Sequence, residues 1–320
     1  MRVLLTGAGG FVGSYLSAAL RASNIEAIST GLRAAKHPSG GEIFPLDVTA
    51  PAAVQSAFHR WHPTHIVHLA GIASPADANA NPAVAWRVHL DGTLNIANAI
   101  LTVCPKCMFV YAGSALVYGA SAKSGVPLTE QTVLAPRDIY AASKAAADLA
   151  LGALAHRGLR CVRLRLFNHT GPGQSSKYVI PSFAMQIARI EAGLDPAVLY
   201  VRNLNVERDF LDVRDVASAY VAIVQRSDHI EAGTILNIAS GTTNSLRLIL
   251  GDLISLSGTP VRIDESHVES TEGTEPLLGD ATVARHLLDW EPQHSLRDTL
   301  ADILNFWRQR VTSTGSSQSH

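Results

Sequence analysis

The chain has 320 residues, 47% of them hydrophobic and 17% charged, with a formal net charge of −1. That length can bury a large core in one domain or two closely packed ones, and the near-neutral balance excludes binding to DNA or an anionic membrane through bulk charge. Three cysteines cannot all pair, which points to a reducing compartment. With no signal-peptide pattern at the start and no apolar run of about 18 residues, a soluble cytoplasmic protein is expected.

Short β-branched or leucine-rich runs at 3–6, 27–30, 65–70, 108–112 and 161–166 alternate with alanine-rich helical stretches at 11–22, 52–61, 83–103 and 140–156. This alternation predicts an α/β fold of the Rossmann type, a doubly wound parallel sheet with helices on both faces. After Phe167 the rhythm loosens. Gly171-Pro172-Gly173 signals a turn, a helix follows over 181–192, and further elements are expected at 209–213, 216–225, 235–238 and 246–256. The expected organisation is a cofactor domain over 1–167, a smaller α/β substrate lobe over 168–310 with some segments returning to the main sheet, and a disordered Ser/Thr/Gln-rich tail over 311–320.

The first strand runs into Gly7-Ala8-Gly9-Gly10-Phe11-Val12-Gly13. Gly7 permits the tight turn, Gly10 lets the backbone approach a pyrophosphate, and Gly13 lets the helix pack on the sheet. The amides of Phe11, Val12 and Gly13 then open an anion-binding helix. Dinucleotides with a free ribose are read by a carboxylate at the end of the second strand, but Ser29-Thr30-Gly31-Leu32-Arg33 has none. Arg33 can pair with a 2′-phosphate, helped by Ser29 or Thr30, so NADP(H) is favoured over NAD(H). Asp47 follows the next apolar run and can meet the adenine amino group.

Tyr140 and Lys144 stand four apart on one helix face. An ammonium beside a phenol is expected to lower the phenol's pKa, and such a tyrosine can exchange a proton with a substrate oxygen. Ser114 ends the strand over 108–112 and can hydrogen-bond the same oxygen. Ser114, Tyr140 and Lys144 are the expected catalytic set.

Together these motifs resemble the extended short-chain dehydrogenases/reductases, the NAD-dependent epimerase/dehydratase family, over residues 1 to about 308. Arg165-Leu166-Phe167-Asn168-His169-Thr170-Gly171-Pro172-Gly173-Gln174 and Arg208-Asp209-Phe210-Leu211-Asp212-Val213 look most like its GDP-4-keto-6-deoxy-D-mannose reductases and GDP-mannose 4,6-dehydratases. The resemblance implies a nucleotide-sugar substrate, with Asn168 and Arg208 on the diphosphate, Val179 at the base and Ser74 on the substrate side. It places Val48, Leu69 and Ala70 beside the cofactor. It also implies a homodimer through the helices near 83–103 and 140–156.

In the dehydratases a glutamate two positions after the Ser/Thr serves in removing the C5 proton; here that position is Leu116. The expectation is therefore NADPH-dependent reduction of a C4 ketone on a nucleotide-activated 4-keto-6-deoxyhexose, with GDP-4-keto-6-deoxy-D-mannose the leading substrate. The alternatives are a 4-epimerase with retained NAD and, from another class, a non-catalytic NADP(H) sensor. Two departures stand out: His89 occupies a position where the family usually has asparagine, and no arginine precedes Leu277-Leu278-Gly279-Asp280 in Ser270-Thr271-Glu272-Gly273-Thr274-Glu275-Pro276.

Cys104-Pro105-Lys106-Cys107 has redox-motif spacing but lies between a helix and a strand, so it is read as structural or incidental. His62, His65 and His68 straddle a strand, with His65 and His68 facing opposite sides, so no metal site is expected.

Overall fold

The computed structural model describes residues 1–123, 125–266 and 276–315. The first half runs β1 (Arg2–Thr6), α1 (Phe11–Ala22), β2 (Glu26–Gly31), β3 (Ala35–Lys36), β4 (Glu42–Pro45), α2 (Pro51–Trp61) and β5 (His65–His68). It continues through α3 (Pro75–Ala80), α4 (Pro82–Trp86), α5 (Gly92–Val103), β6 (Met108–Ala112), α6 (Ile139–Ala155) and β7 (Cys161–Leu166). The second half runs β8 (Asn168–Thr170), α7 (Val179–Glu191), β9 (Val198–Arg202), β10 (Glu207–Asp212), α8 (Val213–Gln225) and β11 (Thr234–Ile238). It ends with β12 (Thr243–Ser245), α9 (Leu246–Ser257), β13 (Arg262–Ser266), α10 (Thr282–Leu288) and α11 (Leu296–Gly315).

The main sheet has the order β11-β7-β6-β5-β1-β2-β4-β3. Its pairings are parallel except for the β3–β4 hairpin. Strand residues alternate between two buried faces. Val3, Leu5, Val67, Val110 and Leu164 pack with Leu16, Leu20, Val216 and Tyr220. Leu4, Ile66, Phe109 and Tyr111 pack on the other side with Phe58, Ile96, Ile100 and Leu151. Burial on both faces explains why these strands read as continuous apolar runs.

From the second half, β11 returns to the main sheet beside β7. The remaining strands form two small sheets, β12-β10-β8 and β13-β9. A separate core of Ile180, Phe183, Ile187, Leu199, Leu253, Ile303 and Leu304 joins α7, α9 and α11. The expected break in order at residue 311 is wrong. Helix α11 continues to Gly315, and Val311 packs into this core at 9% exposure, so burial overrides the polar composition. Residues 316–320 lie outside the described residues, as does most of the stretch before Leu277 singled out for its missing arginine.

The expected helix over 83–103 is α4 and α5 joined by a π-helical turn, Arg87–Asp91. Among the described residues no helix is long and apolar enough to cross a membrane.

Candidate active site

The C-terminal ends of β1, β5 and β6 converge on one crevice. The chain leaves β1 at Gly7, which has φ 71°. A Cβ there would lie 2.7 Å from Ala70 N and 2.9 Å from Leu69 C. One on Gly13 would lie 2.5 Å from Gly7 O. These glycines therefore hold the turn, the loop after β5 and the start of α1 in mutual contact. Gly10 is the N-cap of α1, no side chain caps that end, and its first turn carries no acidic residue. The amides of Phe11, Val12 and Gly13 thus face the crevice with the positive end of the helix dipole behind them, a cradle that fits a dinucleotide pyrophosphate.

On the adenosine side, Arg33 is exposed beyond β2. Its expected helpers are turned inward: Thr30 Oγ1 donates to Leu5 O at 3.0 Å, and Ser29 Oγ lies 3.4 Å from Ser17 Oγ. They sit within the strand, where side chains enter the core, so neither hydroxyl is turned toward Arg33. Asp47 is exposed, with Oδ1 accepting from Thr49 N at 2.9 Å and Thr49 Oγ1 at 2.7 Å. Val48 is buried in the core, where its side chain limits the approach of Gly92. Its carbonyl accepts from Asn95 Nδ2 at 3.0 Å.

Ser114 stands just past β6, 7% exposed, and accepts from Leu116 N at 3.2 Å. Asp138 caps α6 through Ala141 N at 2.7 Å, and the first turn of that helix carries Tyr140 into the crevice. The Ser114 hydroxyl lies near enough to the Tyr140 phenol to lower its pKa. Lys144, one turn on, donates from Nζ to Ala112 O at 2.9 Å and lies over the Tyr111 ring, 5.3 Å from its centroid.

The expected lowering of the Tyr140 pKa does not occur. Burial pushes it up to about 12, and the nearby Ser114 hydroxyl offsets that only in part. The Lys144 ammonium is committed to Ala112 O, and burial lowers its own pKa to about 8. Tyr140 is accordingly a neutral phenol at neutral pH, the form that can donate a proton. Leu116 packs with Tyr140, Ile72 and Ile139 in a small apolar cluster.

The substrate-side candidates lie on separate elements. Asn168 is exposed at the start of β8, which pairs with β10 at Phe210. Arg208 lies on β10 and donates to Glu207 O at 2.7 Å. The carboxylates of Asp209 and Asp212 each have other partners. Asp209 accepts from Ser240 N at 2.8 Å and Gly241 N at 2.9 Å, and Asp212 accepts from Arg214 at 2.7 Å. Val179 opens α7, half-buried. Ser74 caps α3, its Oγ accepting from Asp77 N at 3.3 Å.

Three residues near the crevice have no role there in the sequence reading. His68 is fully buried, its Nδ1 2.7 Å from Thr6 Oγ1, and burial drives its pKa to about 3 with the Lys144 charge adding to the effect. His65, on the opposite face, reaches Ser227 Oγ at 2.9 Å, and no metal-binding cluster occurs among the described residues. Tyr178 lies near enough to Tyr140 to raise its pKa. His37, buried on the β3–β4 hairpin, sets Nε2 3.1 Å from Ala8 O beneath the glycine turn. The spacing of His62, His65 and His68 suggests a metal rather than the Thr6 contact, and no motif spacing marks Tyr178 or His37.

A parallel sheet with a glycine-rich first turn, and a serine, tyrosine and lysine meeting at its crevice, defines a dinucleotide-dependent enzyme class. The sequence profile of the NAD dependent epimerase/dehydratase family matches residues 3–239, and the chain belongs to that family. It is 33% identical to the GDP-6-deoxy-D-mannose reductase of Pseudomonas aeruginosa, over 97% of this chain and 98% of that protein. Identity to the dTDP-6-deoxy-L-talose 4-dehydrogenase (NAD(P)(+)) of Kitasatospora kifunensis is 28%, over 98% and 96%. Among solved structures, RMD from Pseudomonas aeruginosa complexed with NADPH superposes with a TM-score of 0.85 at 30% identity, covering 97% of this chain and 100% of the other. The NAD complex of Thermus thermophilus UDP-glucose 4-epimerase gives 0.83 at 26%, covering 96% and 99%.

Proposed function

We propose that this chain reduces the C4 ketone of a nucleotide-activated 4-keto-6-deoxyhexose with NADPH, with GDP-4-keto-6-deoxy-D-mannose the leading substrate. The observation that carries the reading is a buried Tyr140 phenol in the crevice with Ser114, packed in a cluster that includes the apolar Leu116. A ketone reduction needs one proton donor at the oxygen and no base at C5, and that is what these side chains offer. Similarity to a GDP-6-deoxy-D-mannose reductase and to an NADPH-bound structure supports the same sugar and cofactor.

The cofactor, when bound, supplies the hydride. The chain's own residues do the rest. Gly7, Gly10, Phe11, Val12 and Gly13 hold the pyrophosphate, Arg33 pairs with the 2′-phosphate, Asp47 meets the adenine, and the backbone of Val48, Leu69 and Ala70 lines the dinucleotide. Asn168 and Arg208 grip the substrate diphosphate, as an amide and a guanidinium are suited to do. Val179 flanks the base and Ser74 the sugar. Ser114 orients the ketone, Tyr140 gives its proton to the oxygen, and Lys144 holds the nicotinamide ribose.

In this reading residues 1–167 with the returning strand β11 form the cofactor domain, and 168–310 supply the substrate lobe. The enzyme works in the cytoplasm as a homodimer, joined through the helices at 83–103 and at α6, where Val84 and Leu149 are exposed. Its three free cysteines suit that compartment. The test is NADPH consumption with GDP-4-keto-6-deoxymannose, followed by absorbance. Rapid turnover that disappears in Tyr140→Phe is expected. No turnover with NADPH or NADH would overturn the substrate and bring a 4-epimerase forward.

A further inference from the structure

Between α4 and α5 the helix widens into a single π turn over Arg87–Asp91. Such turns cost helix regularity and recur at functional sites. This one presents His89, 1% exposed, to the catalytic crevice. Its ring meets Tyr140 edge to face, with centroids 5.5 Å apart. Thr93 Oγ1 donates to His89 O at 2.6 Å, supporting the turn.

Both imidazole nitrogens are engaged. Nδ1 lies 2.8 Å from Ser143 Oγ, and Ser143 Oγ lies 2.9 Å from Tyr140 O. Nε2 lies 3.0 Å from Ile72 N and 3.2 Å from Ile72 O. Counting protons selects one arrangement. If Nδ1 carries the hydrogen, Ile72 N–H donates to Nε2, Nδ1–H donates to Ser143 Oγ, and the Ser143 hydroxyl donates to Tyr140 O. With the hydrogen on Nε2, the Ile72 amide loses its acceptor, and an unpaired N–H is the rarer defect in folded proteins. A charged imidazolium is opposed by burial and by the nearby Lys144 ammonium, which together hold the His89 pKa near 3. Gly71 closes the arrangement: a Cβ there would lie 3.3 Å from His89 Nε2 and 3.5 Å from Lys144 Nζ.

We infer that His89 is a positioning residue for the reduction: its imidazole ties the loop carrying Ile72 and Ser74 to Ser143, and so to the first turn of the Tyr140 helix. The loop and the phenol then keep one separation while substrate binds between them. A one-ångström misplacement of reacting groups can cost about a hundredfold in rate. The asparagine usual at this position ends near where Nδ1 lies, and glutamine ends near Nε2, so each can supply only one side of the tie.

The inference rests on the reductase reading, and the test separates the two. His89→Phe keeps the ring against Tyr140 and removes both polar ends. Its kcat is expected to fall by about ten- to a hundredfold while the Kd for NADPH stays within about twofold, and His89→Gln is expected to recover part of the loss. Independently of turnover, ¹⁵N NMR of the wild type should show a neutral Nδ1–H imidazole, and hydrogen exchange should show an Ile72 amide protected in the wild type and exposed in His89→Phe. A folded His89→Phe with wild-type kcat, an Nε2–H or charged imidazole, or an unprotected Ile72 amide would each overturn the inference. A wild type inactive on the sugar would sink the reductase reading alone, because the NMR and exchange results still judge the tie. Should His89→Phe fail to fold, the glutamine variant and the wild-type spectra decide.

Discussion

Lys144 Nζ donates to Ala112 O at 2.9 Å, so the ammonium of α6 is pinned to the last residue of β6 at the mouth of the crevice. It is 7% exposed and no carboxylate contributes to its pKa shift, which burial alone carries down to about 8. A lysine that ionises near 10.4 when free then costs the folded state about 3 kcal/mol at neutral pH. Lys144→Met is expected to abolish turnover yet raise stability by about 1–3 kcal/mol, the trade of stability for function common at active sites. The sign fixes a pH window. Between pH 8 and 10.5 the unfolded chain binds the proton that the folded chain has shed, so wild-type stability rises through that interval. The advantage of Lys144→Met should be full below pH 8 and shrink towards pH 10.5. Urea melts at pH 7 and 10 measure it, and equal stability of the two proteins at pH 7 would contradict the account.

The same group is expected to set the alkaline limb of activity. The profile of kcat/KM reports groups of the free enzyme. Tyr140, near 12, stays a proton donor across the working range, and Lys144, near 8, is the first of the pair to titrate. Activity is expected to fall as pH rises through about 8. No break is expected near pH 6.5 from the two buried histidines of the site, because His68 and His89 are both held near 3. Lys144→Arg keeps its charge far above pH 8 and should remove the break, at a lower plateau. A break near 6.5 in the wild type would mean that one of these imidazoles takes up a proton in the working enzyme.

In the proposed reading cofactor choice turns on Arg33, because Ser29 and Thr30 spend their hydroxyls on Ser17 and Leu5. With no hydroxyl helping, removal of the guanidinium should be felt almost entirely at the 2′-phosphate. Arg33→Ala is expected to raise the Kd for NADPH by about ten- to a hundredfold, the scale of one charge-assisted hydrogen-bonding partner, and to leave NADH binding within about twofold. Fluorescence titration with both cofactors checks the split. An equal loss for NADPH and NADH would place Arg33 in folding of the β2–β3 turn instead.

How much of this was legible in the sequence follows from the physics of each element. Strands buried on both faces and helices with a 3.6-residue apolar stripe announce themselves, so β1, α1, β6 and β7 fall at or within a residue of their expected bounds. The strands β3, β12 and β13 are short or polar edge pieces whose partners, not their composition, make them strands. Helix α11 runs past Val311 because that side chain finds a hydrophobic core, which no local tendency reveals. At the site, Ser114, Tyr140 and Lys144 are readable from spacing and resemblance. The direction of the Tyr140 pKa is not, since it depends on how deeply the phenol is buried and where the lysine points. Nor are the roles of His68, Tyr178 and His37, because each is defined by a partner far away in sequence.

The helix that carries Tyr140 is itself anchored by a buried carboxylate. Asp148 Oδ1 accepts from Arg163 Nη1 at 2.9 Å, and Oδ2 from Arg165 Nε at 3.1 Å. Arg165 passes the connection on to Tyr118 OH at 3.1 Å, and Tyr118 donates to Asn237 Oδ1 at 2.6 Å. The Asp148 side chain is 1% exposed and that of Arg165 4%. Removing the carboxylate strands two guanidiniums in a low-dielectric site, so Asp148→Ala is expected to cost about 3–5 kcal/mol. The exposed pair Arg2–Glu26 provides the contrast, with side chains 43% and 57% exposed around a 2.9 Å contact. Glu26→Ala should cost less than about 1 kcal/mol, because water screens both charges already. Denaturant melts of the two variants compare them directly. If Asp148→Ala were no more damaging than Glu26→Ala, the buried network would be no more than a surface pair in disguise, and the placement of α6 would have to rest on its apolar contacts alone.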